Sequence, residues 1–127
     1  MKNVFAKVHQ LWTASEAANL ALVKDLLASK NPSINVNWIG PDRANTSLHR
    51  ACCLGHLQVV EVLLQHPEVE VNVENKARAT PFYLACQQGN FQVVKLLLAD
   101  LRVDVNSPGI KEISVLRRLS EWPLEGG

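Results

Sequence analysis

Thr46-Ser-Leu-His-Arg-Ala-Cys-Cys-Leu-Gly55 falls on Thr80-Pro-Phe-Tyr-Leu-Ala-Cys-Gln-Gln-Gly89 when the chain is displaced on itself by 34 residues. The match continues, with His56-Leu-Gln-Val-Val-Glu-Val-Leu-Leu64 over Asn90-Phe-Gln-Val-Val-Lys-Leu-Leu-Leu98 and Val69-Glu-Val-Asn72 over Val103-Asp-Val-Asn106. From Thr46–Asn72 to Thr80–Asn106, 12 of 27 positions are identical, where unrelated segments share about two. The stretch is a duplication, and a repeat of this length points to a stack of small units.

A weaker copy lies upstream. Leu11-Trp-Thr-Ala-Ser-Glu-Ala-Ala-Asn-Leu20 aligns with Leu48–Leu57, Val23–Leu27 with Val60–Leu64, and Ile34-Asn-Val-Asn37 with Val69–Asn72. A partial copy lies downstream: Ser114–Trp122 sits 34 residues after Thr80–Gln88 and stops at Pro123. The expected organisation is a single domain over 1–127, with repeats near 9–37, 42–72 and 76–106 and a capping segment at 110–122.

Each unit reads as helix, turn, helix, extended loop. Thr80 before Pro81 is a helix start, with Thr as N-cap and Pro where a missing N–H costs nothing. Gly55 and Gly89 stand where a short helix stops in the left-handed conformation. Val59, Val60, Leu63, Leu64 and their copies Val93, Val94, Leu97, Leu98 form an apolar helical stripe. Val62 and Leu96 widen it, so each second helix needs neighbours on two sides, which stacking supplies. First helices are expected near 11–17, 47–54 and 81–88, and second helices near 21–29, 57–65 and 91–99. The face Phe5, Val8, Leu11, Trp12 places the start of the N-terminal helix near Val4, with Asn3 as cap.

Composition excludes several classes. The 127 residues are 47% hydrophobic and 20% charged, as in an ordinary folded domain. A net charge of +1 lacks the basic excess of a general nucleic-acid binder. No apolar run approaches a membrane span, and no secretory signal is legible. Three cysteines, two of them adjacent, make no disulfide framework and fit a reduced cytoplasmic setting.

The period and the pattern Thr46-Ser-Leu-His-Arg-Ala and Thr80-Pro-Phe-Tyr-Leu-Ala, with Gly55-His56 and the closing Val71-Asn72 and Val105-Asn106, resemble the ankyrin repeat. The resemblance implies an all-α helical solenoid of helix–turn–helix units with short β-hairpin fingers, about three full repeats plus a partial C-terminal cap. Trp12 and Tyr83 stand where the family has His, so only His49 keeps the hydroxyl–imidazole pair. Ala18 replaces the helix-ending glycine of the first unit, and neither finger has glycine at its usual tip.

What the resemblance implies for function is a non-enzymatic, monomeric module that binds another protein, without cofactor, metal, nucleic acid or membrane. Family contact positions fall on Ile39, Arg43 and Asn45 of the first finger and on Glu74, Lys76 and Arg78 of the second, with Trp38 at the base of the first finger either packed under it or a partner anchor. From the first helices they fall on Glu16, Cys53, Leu54, Gln87 and Gln88. The rivals are a small inhibitor of a kinase or other signalling enzyme, and a fragment of a longer array. Hydroxylases acting on such repeats favour a closing Asn after an acidic residue and Val, with Leu eight positions upstream. Asn72 and Asn106 meet this pattern; Asn37 does not.

His49, Cys52, Cys53 and His56 are the only cluster with metal-ligand chemistry, and family positions account for the two histidines and for buried Cys52. A thiol-dependent activity would use Cys53 with His49 or His56, activated by Arg50 one turn back. Cys52 and Cys86 are expected to be buried and inert.

Overall fold

Helix punctuation comes first, because it fixes where each chain segment turns. The computed structural model describes residues 2–28, 34–40 and 44–105, with side chains from His9 onward. It contains α1 (Lys2–Glu16), α2 (Leu20–Ala28), α3 (Ser47–Leu54), α4 (Leu57–Leu64), α5 (Pro81–Gln88) and α6 (Phe91–Leu98). Thr46 caps α3 by accepting from the His49 N–H, and Thr80 caps α5 by accepting from the Tyr83 N–H, with Pro81 at the first helical position. Helix α1 begins at Lys2, ahead of the expected start near Val4.

Gly55 and Gly89 end α3 and α5 with φ of 77° and 73°. The N–H two residues past each helix closes the turn, His56 onto the Ala51 carbonyl and Asn90 onto Ala85. The first unit makes the same turn without glycine: the Asn19 N–H reaches the Ala14 carbonyl at 2.9 Å, with Ala18 held at φ 59°. Backbone closure therefore overrides the steric preference of the alanine Cβ.

First helices α1, α3 and α5 pack in one row, and second helices α2, α4 and α6 in another. Equivalent positions fill equivalent places. Leu11, Leu48 and Phe82 are buried, as are Ala14, Ala51 and Ala85, which let adjacent first helices approach. Val23, Val60 and Val94 are fully buried between the rows. Leu98, expected in the stripe, is instead 46% exposed, where its copy Leu64 is half-buried.

Among the described residues there is no strand. The second finger is a turn closed by the Asn75 N–H on the Ala79 carbonyl at 3.0 Å; the first is closed by Gly40 on Asn45 at 2.8 Å. The capping segment 110–122 lies outside the described residues.

Candidate functional site

The fingers are held by side chains reaching from one unit to the next. His49 is fully buried, and its Nδ1 accepts from the Thr46 backbone N–H at 3.1 Å. Its Nε2–H donates to the Ala79 carbonyl of the next finger at 2.9 Å. Burial holds this imidazole below its ordinary pKa, against the raising effect of the Ala79 and Val73 carbonyls. Trp12, aligned with His49, cannot make the hydroxyl pair, yet its indole N–H donates to the Asn45 carbonyl at 3.0 Å. Asn45 and Ala79 are equivalent positions, so two different rings perform the same inter-unit bond. Gly40 lies flat against that indole: a Cβ there would overlap the ring.

The closing asparagines clamp the next loop twice each. Asn37 donates to the Glu68 carbonyl at 2.9 Å and accepts from the Glu70 N–H at 2.8 Å. Asn72 does the same with Arg102 at 2.8 Å and Asp104 at 2.7 Å. At the helix ends, His56 Nε2–H donates to the Glu16 carbonyl at 2.9 Å. Asn90, one unit on, donates to the Cys52 and Cys53 carbonyls at 2.8 and 2.9 Å. Orphan carbonyls of one helix are thus satisfied by the following unit. Finally, Asn75 donates to the Asn45 side-chain oxygen at 2.8 Å, joining the two fingers directly.

On this frame the expected contact residues divide. Ile39 is 52% and Leu54 43% exposed, large apolar groups facing solvent. Glu74, Lys76, Arg78, Gln87 and Gln88 are exposed, while Glu16 and Cys53 are partly so. Trp38 is half-buried, packed against the core, with its ring edge-on to His9 at 5.9 Å. Asn45 is a correction: it is 4% exposed, and its carbonyl and side chain are occupied by Trp12, Gly40 and Asn75. It orders the fingers rather than facing outward. Arg43 and Asn106 lie outside the described residues.

Arg50 is also placed differently from expectation. Its guanidinium bonds the Glu16 carboxylate at 3.1 Å and lies over the Trp12 ring at 5.8 Å, tying α3 to α1. Neither ring nitrogen of His49 is left for a thiol, and the Nε2 of His56 is taken by Glu16. Cys52 and Cys86 are buried, as expected. Burial raises the Cys52 thiol far above its ordinary value, with Cys53 adding to it, and pushes Cys86 up to about 12.

The Trp12 bond and the Asn45–Asn75 pair escape reading from sequence alone. The signal for the first was present in the alignment of Trp12 with His49, since both rings carry an N–H at their far edge. Among the described residues, no group of three His, Cys, Asp or Glu is arranged to hold a metal, and no helix is long and apolar enough to cross a membrane.

Comparison with curated proteins gives no match. A family model described as ankyrin repeats in three copies matches residues 11–108, most of the chain and all six helices but the start of α1. Two rows of stacked helices, threonine caps on α3 and α5 and asparagine-clamped loops agree with it, and the chain belongs to the ankyrin-repeat family.

Proposed function

We propose that this protein is a non-enzymatic module that binds a partner protein through its fingers and first helices. Ankyrin repeats are generally protein-interaction modules. The observation that carries the reading here is the exposure of Ile39 and Leu54, one on a finger and one on a first helix. Leu48, Ala51 and Cys52 of the same first helix are buried, whereas Leu54 at its end and Ile39 on the finger face solvent. Exposed apolar groups among polar neighbours such as Lys76, Gln87 and Gln88 make a usable contact centre and rim. Inter-unit hydrogen bonds at both fingers hold this surface in place before binding, which lowers the ordering cost.

The histidine geometry supports the non-enzymatic part, because Cys53 has no available base in His49. The test is affinity purification with wild type, an Ile39→Asp/Leu54→Asp variant and a Gln58→Asp/Gln92→Asp control on the second helices. Partners retained by wild type and control but lost by the first variant would agree. Identical partner sets for all three would remove the reading.

A further inference from the structure

The second finger presents two cations at its turn. Lys76 and Arg78 are both exposed, and the Arg78 side chain is 76% so. Its one acidic neighbour among the described contacts, Glu74, stands 3.9 Å away with a side chain itself 43% exposed, an arrangement that neutralises little. The turn beneath them is rigidly built. The Asn75 side-chain oxygen accepts from the Ala77 and Ala79 N–H groups at 2.8 and 3.0 Å, and the Arg78 N–H donates to the Asn75 carbonyl at 2.9 Å.

Arg78 also occupies a costly backbone position, at φ 63°. This is the left-handed region, where glycine is strain-free and a long side chain is not. Among the described residues, the Arg78 side chain makes no hydrogen bond or ion pair other than the weak approach to Glu74. Ala44, the equivalent position of the first finger, has φ 59°, so the conformation belongs to the finger turn; what sets Arg78 apart is the exposed charge it carries there.

The apolar member of the patch follows from the hydrogen bonds. Ile39 precedes Gly40, whose N–H is bonded to the Asn45 carbonyl; Asn45 accepts from Asn75; Asn75 holds the Arg78 N–H. The exposed Ile39 side chain and the two cations therefore stand on neighbouring fingers joined by hydrogen bonds at their bases. The loops closing the second and third units carry Glu68, Glu70 and Asp104 together with Arg102, all exposed.

We infer that the finger row of Ile39, Lys76 and Arg78 docks an acidic protein segment, its carboxylates on Lys76 and Arg78 and one large apolar residue against Ile39. This rests on the protein-binding reading above and gives it a partner chemistry. A nucleic-acid strand would have to meet the same two cations without a wider basic surface, since the net charge is +1.

The test uses the full chain against a displayed random octapeptide library, followed by titration of an enriched peptide and of a single-stranded oligonucleotide. Enriched peptides should carry Asp or Glu beside one Leu, Ile or Phe. Their affinity should fall about threefold between 50 and 200 mM salt. Lys76→Glu with Arg78→Glu should weaken binding about tenfold or more, and Glu74→Gln should strengthen it about twofold. Arg78→Gly is the most discriminating variant. It should raise the melting temperature by about 4 °C through relief of the left-handed strain, yet weaken binding about threefold. A purely structural role for Arg78 would not separate those two readouts. Enrichment of neutral or basic peptides overturns the acidic assignment while leaving the protein-binding reading intact. No enrichment, tighter binding of the oligonucleotide, or indifference to the double charge reversal also overturns it; the lysate comparison above then tests the broader reading separately.

Discussion

The Trp12 indole N–H donates to the Asn45 carbonyl at 3.0 Å, the same bond that the His49 imidazole makes to Ala79 at 2.9 Å. An aromatic N–H at the far edge of a buried ring is what the position requires, and two residue types supply it. Trp12→Phe keeps the packing but leaves the Asn45 carbonyl without this donor, and should cost about 1–2 kcal/mol. Gly40→Ala should destabilise independently, because the new methyl overlaps the indole. Chemical denaturation of both variants checks this. Wild-type stability for Gly40→Ala would mean that the ring can move aside.

Ala18 sits at φ 59° where Gly55 and Gly89 stand in the other units. Ala18→Gly should therefore stabilise by about 1 kcal/mol, raising the melting temperature by about 4 °C. The reverse changes should destabilise, and unequally. A Cβ at Gly55 comes within 3.0 Å of the Asn90 side-chain oxygen, whose amide nitrogen holds the Cys52 and Cys53 carbonyls. A Cβ at Gly89 meets nothing within 4 Å. Thermal melts should rank Gly55→Ala below Gly89→Ala.

His49 gives the fold a pH dependence of defined sign. Its folded pKa lies below the ordinary 6.5, chiefly through burial. The folded state thus binds fewer protons than the unfolded state in this window. The contribution of neutral His49 is fully present above pH 6.5 and declines as the pH falls through that value towards the folded pKa. Denaturant midpoints from pH 7.5 down to 5 should fall for wild type. They should fall less for His49→Gln, whose amide does not titrate, although that variant starts less stable.

The three thiols should separate by burial. Cys53 should react with a maleimide in the native protein, while Cys52 and Cys86 should wait for unfolding, since both are fully buried with raised thiol pKa. Mass spectrometry of timed quenches reads the order. Early labelling of Cys86 would contradict the packing of α5 against α3.

The sequence made the helices legible because their signals are local. Thr46 and Thr80 mark starts, Gly55 and Gly89 mark stops, and the spacing of Val59, Val60 and Leu63 names a face. It also carried the repeat, hence the family. It did not carry the fingers. Asn45 reads as a contact residue because its repeat position suggests one, but a residue's burial there depends on which carbonyl Trp12 and which amide Asn75 reach, pairings 33 and 30 residues apart. Arg50 likewise reads as a partner for Cys53 by helical spacing, whereas Glu16, 34 residues away, takes its charge. Leu98 fits the stripe by period, yet it is 46% exposed while Val94 and Leu97 of the same helix are buried.

The central claim is that the fingers and first helices are the binding face. Site-specific photo-crosslinking tests it most directly, with a benzophenone amino acid placed singly at Ile39, Leu54 and Gln88, and at Gln58, Gln92 and Lys95 on the second helices. The expected result is a discrete protein adduct from the first three positions and none from the last three. Adducts arising only from the second helices would contradict the account.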